Sequence, residues 1–371
     1  MIFLNEFHLE EQTTFREFAQ KEIMPLANQI DQENEIPSCI QEQLGKMDAF
    51  RVFVAEKYGG LGGGWLDYVV TTQALAKASA SVAWRYVASQ SVLALIEKFG
   101  NEEQINAHMN GLISGKTSGA FAMTEAGSGT NWQKTMQSRV VNEGGKIILR
   151  GNKNMISNAD AESVIVVVRS AEQMTPFSVY LLKKDNYSFA TDRFEMMLGL
   201  RGSGVGSLVF DDMHINETDR LGEKSQFPQI LQTFSMINSL GQAAVAFGIS
   251  QAAFESALQY IKVRPIGNDQ FLADVEDVRR TISELKQSLD ASQLMLYHAA
   301  SGNGSHIFPA LLSCIETALK LTDQTMVLMG GHGCMKGYPM ERYFRDAKTV
   351  SLQKPIAHIK TMVGSQIVQA A

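Results

Sequence analysis

Three blocks of different periodicity follow one another along the chain, and this order constrains the fold more than any single motif. In the first block apolar residues recur every three or four positions, which predicts amphipathic helices, for instance over residues 15–30 with a kink at Pro25. From about Gly119, short runs rich in β-branched residues alternate with turn residues and predict successive strands. After about Gly222 the helical period returns, as in the stripe formed by Ile282, Leu285, Leu289 and Leu296.

In the middle block, strands follow strands with little room for helices between them. This pattern favours an antiparallel sheet or small barrel over a βαβ array. A hairpin is predicted around the turn residues Glu143-Gly144-Gly145. We therefore predict an α+β fold that is mostly α. It has an N-terminal helical domain over residues 1–118, a middle antiparallel β-barrel-like domain over 119–222 and a C-terminal helical domain over 223–371.

Charge and composition exclude several functional classes. The chain has 39 acidic and 33 basic residues, a net charge of -6, which argues against a nucleic-acid partner because phosphate binding needs a basic surface. No apolar run approaches the ~20 residues of a membrane span, and the N-terminus lacks a basic flank and a cleavage pattern. The cysteines are odd in number and widely spaced, and the histidines show no metal-ligand spacing. We expect a cytoplasmic protein without membrane insertion or a metal site.

Two glycine-containing segments are candidates for binding a cofactor. A Rossmann fingerprint is improbable, because Gly127-Ser128-Gly129 lacks the third glycine and the segment at 202–206 runs into a strand. Residues 121–131 combine a strand end with a bend whose N–H groups could bind a flavin edge or a pyrophosphate, or could form an ordinary turn. Residues 151–158, read as a connection between two strands, could hold the face of an aromatic cofactor or simply link the strands.

Taken in order, these segments resemble the acyl-CoA dehydrogenase family over nearly the whole chain. Residues 55–62, Ala-Glu-Lys-Tyr-Gly-Gly-Leu-Gly, are similar to the family's PeeyGGlG loop. Residues 123–131 are similar to its TEPGAGSD signature, and residues 155–158, Met-Ile-Ser-Asn, stand where the family has WITN. Residues 330–348 contain Gly-Gly-His-Gly and Arg-Asp-Ala-Lys, which are similar to the family's C-terminal motif.

The resemblance implies a helical domain, a β domain and a C-terminal four-helix bundle, assembled as a homodimer or homotetramer. It also implies FAD as the cofactor, held between the middle and C-terminal domains. Thr130 would lie near the pyrophosphate or the thioester, and Arg264 would reach FAD from the neighbouring subunit. The remaining implied cofactor contacts are the flavin-side residues Phe121, Ala122, Met123, Thr124, Met155, Ile156 and Ser157, and the adenosine-side residues Gly330 and Gly331.

The sequence departs from the family at the catalytic base. Family members remove the α-proton of the substrate with a glutamate that occupies one of two places, and here the matching residues are Lys354 and Asn238. Lys354 would be protonated at neutral pH unless it is buried and desolvated. As a cation it could stabilise an enolate, and its backbone N–H could bind the thioester oxygen. His358 is the next titratable group, and a slip in the alignment would bring Glu341 or Asp346 nearby instead.

Three functions are compatible with this reading. The first is FAD-dependent α,β-dehydrogenation of an acyl thioester, on CoA or on an acyl carrier protein, with a non-standard, repositioned base and with Lys354 as the residue at the catalytic position. The second is a different flavin reaction such as oxygen-dependent hydroxylation, which needs no removal of an α-proton. The third is a catalytically silent family member that acts as a binding or assembly subunit.

Overall fold

The computed structural model describes residues 3–170, 176–302, 304 and 306–370. Its elements follow the predicted order of helices, strands and helices, which confirms the α+β, mostly helical fold class. The helices of the first block are α1 (Glu6–Phe18), α2 (Ala27–Glu33), α3 (Ser38–Lys46), α4 (Trp65–Ala78), α5 (Ala80–Phe99) and α6 (Glu102–Ile113).

The predicted kink at Pro25 is confirmed. A π turn over Ala19–Ile23 and a 3-10 turn over Met24–Leu26 join α1 to α2, and Pro25 lies in the second turn. Because proline has no N–H group to donate, it interrupts the hydrogen bonding of a continuous α-helix. Residues 6–33 are therefore helical throughout but do not form one regular α-helix.

The middle block is a sheet with one short helix near its start. The turn at Gly144 and Gly145 joins β2 to β3, which confirms the predicted hairpin. The elements are β1 (Gly119–Ala122), α7 (Trp132–Thr135), β2 (Arg139–Glu143), β3 (Lys146–Ile156), β4 (Ser163–Arg169), β5 (Phe177–Lys183), β6 (Ala190–Phe194) and β7 (Gly206–Ile215).

The sequence predicted an antiparallel sheet, but the sheet of the structure is mixed. The strand order is β1-β4-β2-β3-β7-β6, with β5 also paired to β4. β1 runs parallel to β4, with Gly119 beside Ser163, whereas the β4–β5 and β3–β7 pairs are antiparallel. The chain between β1 and β4 contains α7 and the β2–β3 hairpin. A connection of this length allows β4 to run parallel to β1.

Residues 151–156 belong to β3, which corrects the prediction that they link two strands. The pairing of β3 with β7 shifts register between Leu149 and Gly151 and again between Lys153 and Ile156. Gly151 has φ +136° and Met155 has φ +57°, both on the positive side where most L-residues are strained. Such residues are typical of turns in a sequence, but here they form irregularities within one long strand.

The C-terminal block is built around one long helix. The predicted bundle is confirmed: four long helices pack together, and a fifth, α12, packs against α10. The elements are α8 (Phe227–Val263), the small hairpin β8 (Pro265–Gly267) and β9 (Gln270–Phe271), α9 (Glu276–Ser301), α10 (Ile307–Met329), α11 (Met340–Gln353) and α12 (Ile356–Ala370). Within the described ranges, every helix is either too short or too polar to serve as a membrane span.

α8 joins the two helical blocks through its buried middle, residues 239–250. A Cβ atom at Gly241 would lie 2.1 Å from the Tyr68 Oη atom of α4 and 2.7 Å from Val87 of α5. Glycine at this position therefore lets three helices approach closely. The ends of α5 and α8 next to this core face the sheet, and this arrangement creates the cavity described below.

Candidate functional site

A cavity of about 580 Å³ lies where the sheet meets α5, α8 and the junction of α11 with α12. This volume is in the range of small-molecule and cofactor pockets. The cavity brings together predicted residues that are far apart in the sequence. Its lining comprises Trp84, Ala88, Phe121, Met123, Thr124, Trp132, Gln133, Met155, Ile156, Ser157, Leu231, Phe234, Ser235, Asn238, Gln353, Lys354, His358 and Met362.

Most of the predicted flavin-side residues lie on this lining. The exception is Ala122, which is fully buried in the core of the sheet because alternate residues of a strand point to opposite faces. The predicted contact of Thr130 depends on a side chain outside the described part of the structure. The bends after β1 and at the end of β3 therefore form one wall of the cavity, as the motifs predicted.

Aromatic rings form much of the apolar surface of the cavity. The ring of Phe121, at the end of β1, stacks on the ring of Phe234 of α8 with centroids 3.7 Å apart and planes 13° from parallel. Phe234 was missed by the sequence reasoning. Much of α8 is apolar and its middle is buried, so no amphipathic stripe marks which of its residues face a ligand.

A buried ion pair lies under the bend that follows β1. The Lys153 Nζ atom donates to the Glu125 carboxylate at 2.7 Å and to the Met123 carbonyl at 3.2 Å, and the Lys153 side chain is fully buried. Glu125 also accepts the backbone N–H groups of Gln137 and Ser138 at 2.6 Å and 3.0 Å. Burial lowers the pKa of Lys153 to about 8 against the opposing effect of Glu125. The pair fixes the backbone of residues 123–125 relative to β3.

Trp84 of α5 connects the helical block to the bend at the end of β3. Its indole Nε1 atom donates to the Ser157 Oγ atom at 2.9 Å, and both residues line the cavity. No pattern in the sequence marks this contact, because α5 is buried almost all round and no polar face identifies the residues that reach the cavity.

Lys354 lies on the cavity lining immediately after the end of α11. Its Nζ atom donates to the Ser239 Oγ atom at 2.7 Å and to the Ser235 Oγ atom at 3.4 Å, and it lies 4.9 Å from the centroid of the Phe308 ring. Desolvation by burial lowers its pKa from an ordinary value of 10.5 to about 8. A substantial fraction of this amine is therefore neutral slightly above neutral pH, which satisfies the condition set by the sequence.

No aspartate or glutamate lines this cavity in the described part of the chain. Asn238 occupies the second glutamate position, and His358 lines the cavity with an exposed side chain. Neither candidate acid of α11, Glu341 in its first turn or Asp346 in its middle, lies on the lining. Glu341 pairs with Arg345 at 2.6 Å, and the buried carboxylate of Asp346 accepts the Leu200 N–H at 2.7 Å.

The comparisons with known proteins cover nearly the whole chain. Models of the acyl-CoA dehydrogenase N-terminal, middle and C-terminal domains match residues 5–116, 120–213 and 227–353. An isovaleryl-CoA dehydrogenase of Solanum tuberosum is 30% identical over 366 residues, covering 94% of this chain and 87% of that protein. The chain belongs to the acyl-CoA dehydrogenase family.

Further relatives of the same family agree along the full length. An acyl-CoA dehydrogenase of Bacillus subtilis is 29% identical over 361 residues, covering 95% of each chain. The structure of butyryl-CoA dehydrogenase from Megasphaera elsdenii superposes with a TM-score of 0.92 at 24% identity and covers 98% of this chain and 99% of that chain. The family resemblance predicted from the motifs is confirmed.

The acyl-CoA dehydrogenase family consists of FAD-dependent enzymes that oxidise acyl thioesters, and the cavity lining of this member has side chains of the kinds that bind a planar heterocyclic ring. The stacked rings of Phe121 and Phe234 and the exposed side chain of Met155 supply apolar surface beside which a planar heterocycle can lie. The hydroxyls of Thr124 and Ser157 supply polar groups for its edge. The predicted combination of aromatic and hydroxyl side chains is therefore assembled in one place.

The other predicted cofactor residues, Arg264, Gly330 and Gly331, lie in a second cavity of about 500 Å³. Arg264 follows α8, and Gly330 and Gly331 follow α10. Their cavity also contains Tyr260, whose hydroxyl lies 3.0 Å from the His332 Nδ1 atom. The two cavities share no lining residue.

Proposed function

We propose that this protein is an FAD-dependent dehydrogenase of acyl thioesters in which Lys354 removes the α-proton of the substrate. The observation that carries the proposal is the position of the Lys354 amine in a cavity whose described lining has no carboxylate. An α-proton next to a thioester is a weak acid and needs a base within hydrogen-bond reach. Only Lys354 and His358 among the described lining residues have a nitrogen base in their side chains.

The surroundings of Lys354 suit the role of a base. A neutral amine has two N–H groups and one lone pair. If the two N–H groups donate to Ser239 and Ser235, the lone pair remains available to accept a proton. Once protonated, the ammonium keeps the same two hydroxyl acceptors and the adjacent Phe308 ring, so the charge is not left unsolvated. The two serines are four residues apart on α8 and therefore lie on one face of the helix.

FAD, when bound, supplies the acceptor for the hydride that leaves the β-carbon. The chain itself binds and orients the reactants and moves the proton. Phe121, Met155 and Ile156 provide apolar surface that excludes water, and Thr124 and Ser157 provide hydroxyl groups at the same wall. Lys354 lines the same cavity from the α11–α12 junction, so the proposed proton acceptor and the residues predicted to contact the flavin share one space.

We also propose that the second cavity serves the FAD of a neighbouring subunit. Arg264, Gly330 and Gly331 are separate from the flavin wall of their own chain, which supports a contribution in trans. The surrounding surface exposes apolar side chains, among them Val327 at 73% and Val263 at 70%. Sedimentation of the FAD-loaded protein tests this proposal: a dimer or tetramer is expected, and a monomer that binds FAD fully would contradict it.

Anaerobic spectroscopy tests the proposed reaction. The FAD-loaded protein is mixed with a panel of acyl thioesters, each on CoA and on an acyl carrier protein, and the flavin absorbance is followed. Bleaching is expected with at least one acyl group, and the carrier that supports it identifies the substrate class. Lys354→Met should abolish bleaching, while His358→Gln should retain it. Oxygen uptake with a reductant but no anaerobic bleaching would instead favour hydroxylation, and a protein that never binds FAD would favour a silent subunit.

A further inference from the structure

We infer that Trp84 is a positioning residue that makes the Ser157 hydroxyl a hydrogen-bond donor toward the ligand of the cavity. The inference rests on the proposed binding of FAD and concerns a residue outside the family motifs. An indole N–H can only donate, so at 2.9 Å the Ser157 Oγ atom must accept. A serine hydroxyl has one proton, and the contact with Trp84 leaves that proton free to point elsewhere.

The cavity is where this proton is directed. Ser157 lines the cavity and is half-buried, and among the described residues its hydroxyl makes no other hydrogen bond within the protein. An unmade hydrogen bond in a partly buried site costs free energy, so the donor favours a ligand atom that can accept. A flavin has nitrogen and carbonyl acceptors along the edge of its ring. Accepting the indole N–H uses one of the two lone pairs of the hydroxyl, and acceptor atoms at the flavin edge then select its proton.

Two further contacts hold Trp84 and Ser157 together. Arg85, the next residue of α5, forms a two-point ion pair with Asp160 at 3.0 Å and 3.1 Å. The Asn158 side chain, next to Ser157, donates to the Arg85 carbonyl at 3.2 Å and to the Gly119 carbonyl at 3.0 Å. Trp84 and Arg85 of α5 are therefore fixed to residues 157, 158 and 160, just after β3. This rigidity is what a preorganised donor requires.

A double-mutant cycle tests the inference without relying on activity. The dissociation constant of FAD is measured by flavin fluorescence for the wild type, Trp84→Phe, Ser157→Ala and the double variant. Phenylalanine keeps an aromatic ring but removes the donor. Loss of one hydrogen bond is worth about a fivefold change in affinity. We expect about fivefold weaker binding in each single variant and no further loss in the double variant, because Trp84 acts through Ser157.

Controls separate the possible outcomes. Trp65→Phe makes the same substitution at an indole that packs on Phe53, outside the cavity lining, and should leave FAD affinity unchanged. Thermal unfolding of the FAD-free variants shows whether the fold itself is affected. Unchanged affinity in Trp84→Phe, or losses that multiply to about 25-fold in the double variant, would overturn the inference. If the wild-type protein does not bind FAD at all, the proposed function fails first.

Discussion

Replacing Lys153 with methionine would leave the Glu125 carboxylate buried without its cation. Methionine has an unbranched side chain of comparable length, so the main change is loss of the charge and of its donors. Removing one partner of a buried ion pair costs about 3–5 kcal/mol, because the remaining charge is left uncompensated. Glu125 keeps the N–H groups of Gln137 and Ser138. We therefore expect a cost near the lower end, about 3 kcal/mol in the free energy of unfolding.

The same substitution should weaken FAD binding, since Lys153 also donates to the Met123 carbonyl in the bend after β1, where flavin contacts are predicted. Urea unfolding of the FAD-free protein, followed by circular dichroism, measures the stability loss, and flavin fluorescence measures the affinity. The matched control is the double variant Lys153→Met with Glu125→Gln, which removes both charges. It should recover part of the lost stability, because no buried charge then remains unpaired, although the glutamine amide has one oxygen to accept from Gln137 and Ser138 where the carboxylate has two.

Either of two results would show that an unpaired buried charge is not the cause of the lost stability. A Lys153→Met variant that loses less than about 1 kcal/mol would show that the pair behaves like an exposed surface salt bridge. A double variant as unstable as the single one would show that the loss comes from packing rather than from an unpaired charge.

Three other substitutions test separate parts of the structure. Glu11 accepts a hydrogen bond from Thr71, and burial together with Asp67 raises its pKa to about 8. Its contribution to stability is therefore present below its ordinary value of 4.5 and lost as pH rises toward 8, so Glu11→Gln should flatten the fall in thermal midpoint across that window. Gly241→Ala should destabilise the protein by about 1–3 kcal/mol in urea unfolding, because the new methyl overlaps Tyr68 and Val87. Lys354→Glu should permit flavin bleaching at a pH below that required by the wild type, as measured by stopped-flow absorbance; no bleaching at any pH would argue against the placement of residue 354.

The sequence predicted the fold class because each block has its own hydrophobic period, and helical and strand periods are local properties. It missed the parallel pairing of β1 with β4, since register between distant strands is not encoded in either strand alone. It also misread residues 151–156. Gly151 and Met155 have the backbone conformations of a turn, and only the pairing with β7 shows that they interrupt a continuous strand.

The residues of the candidate site were likewise predicted only in part. The motif residues Phe121, Thr124 and Ser157 were predicted and do line one cavity. Trp84 and Phe234 were not predicted, because they come from helices that are buried around much of their circumference and show no distinguishing stripe. The state of Lys354 could be stated only as a condition from the sequence. The protonation state of Lys354 depends on two serines of α8 and on desolvation by neighbouring elements. Both are known only from the packed structure.

The central claim is that Lys354 acts as the base, and the pH dependence of flavin reduction tests it most directly. The rate of anaerobic bleaching by a saturating acyl thioester is measured by stopped flow from pH 6 to pH 10. Because a lysine base must be neutral, the rate should rise as pH rises through about 8, the pKa of Lys354, and level off above it. A rate that is independent of pH over this range, or a rising profile that persists in Lys354→Met, would contradict the account.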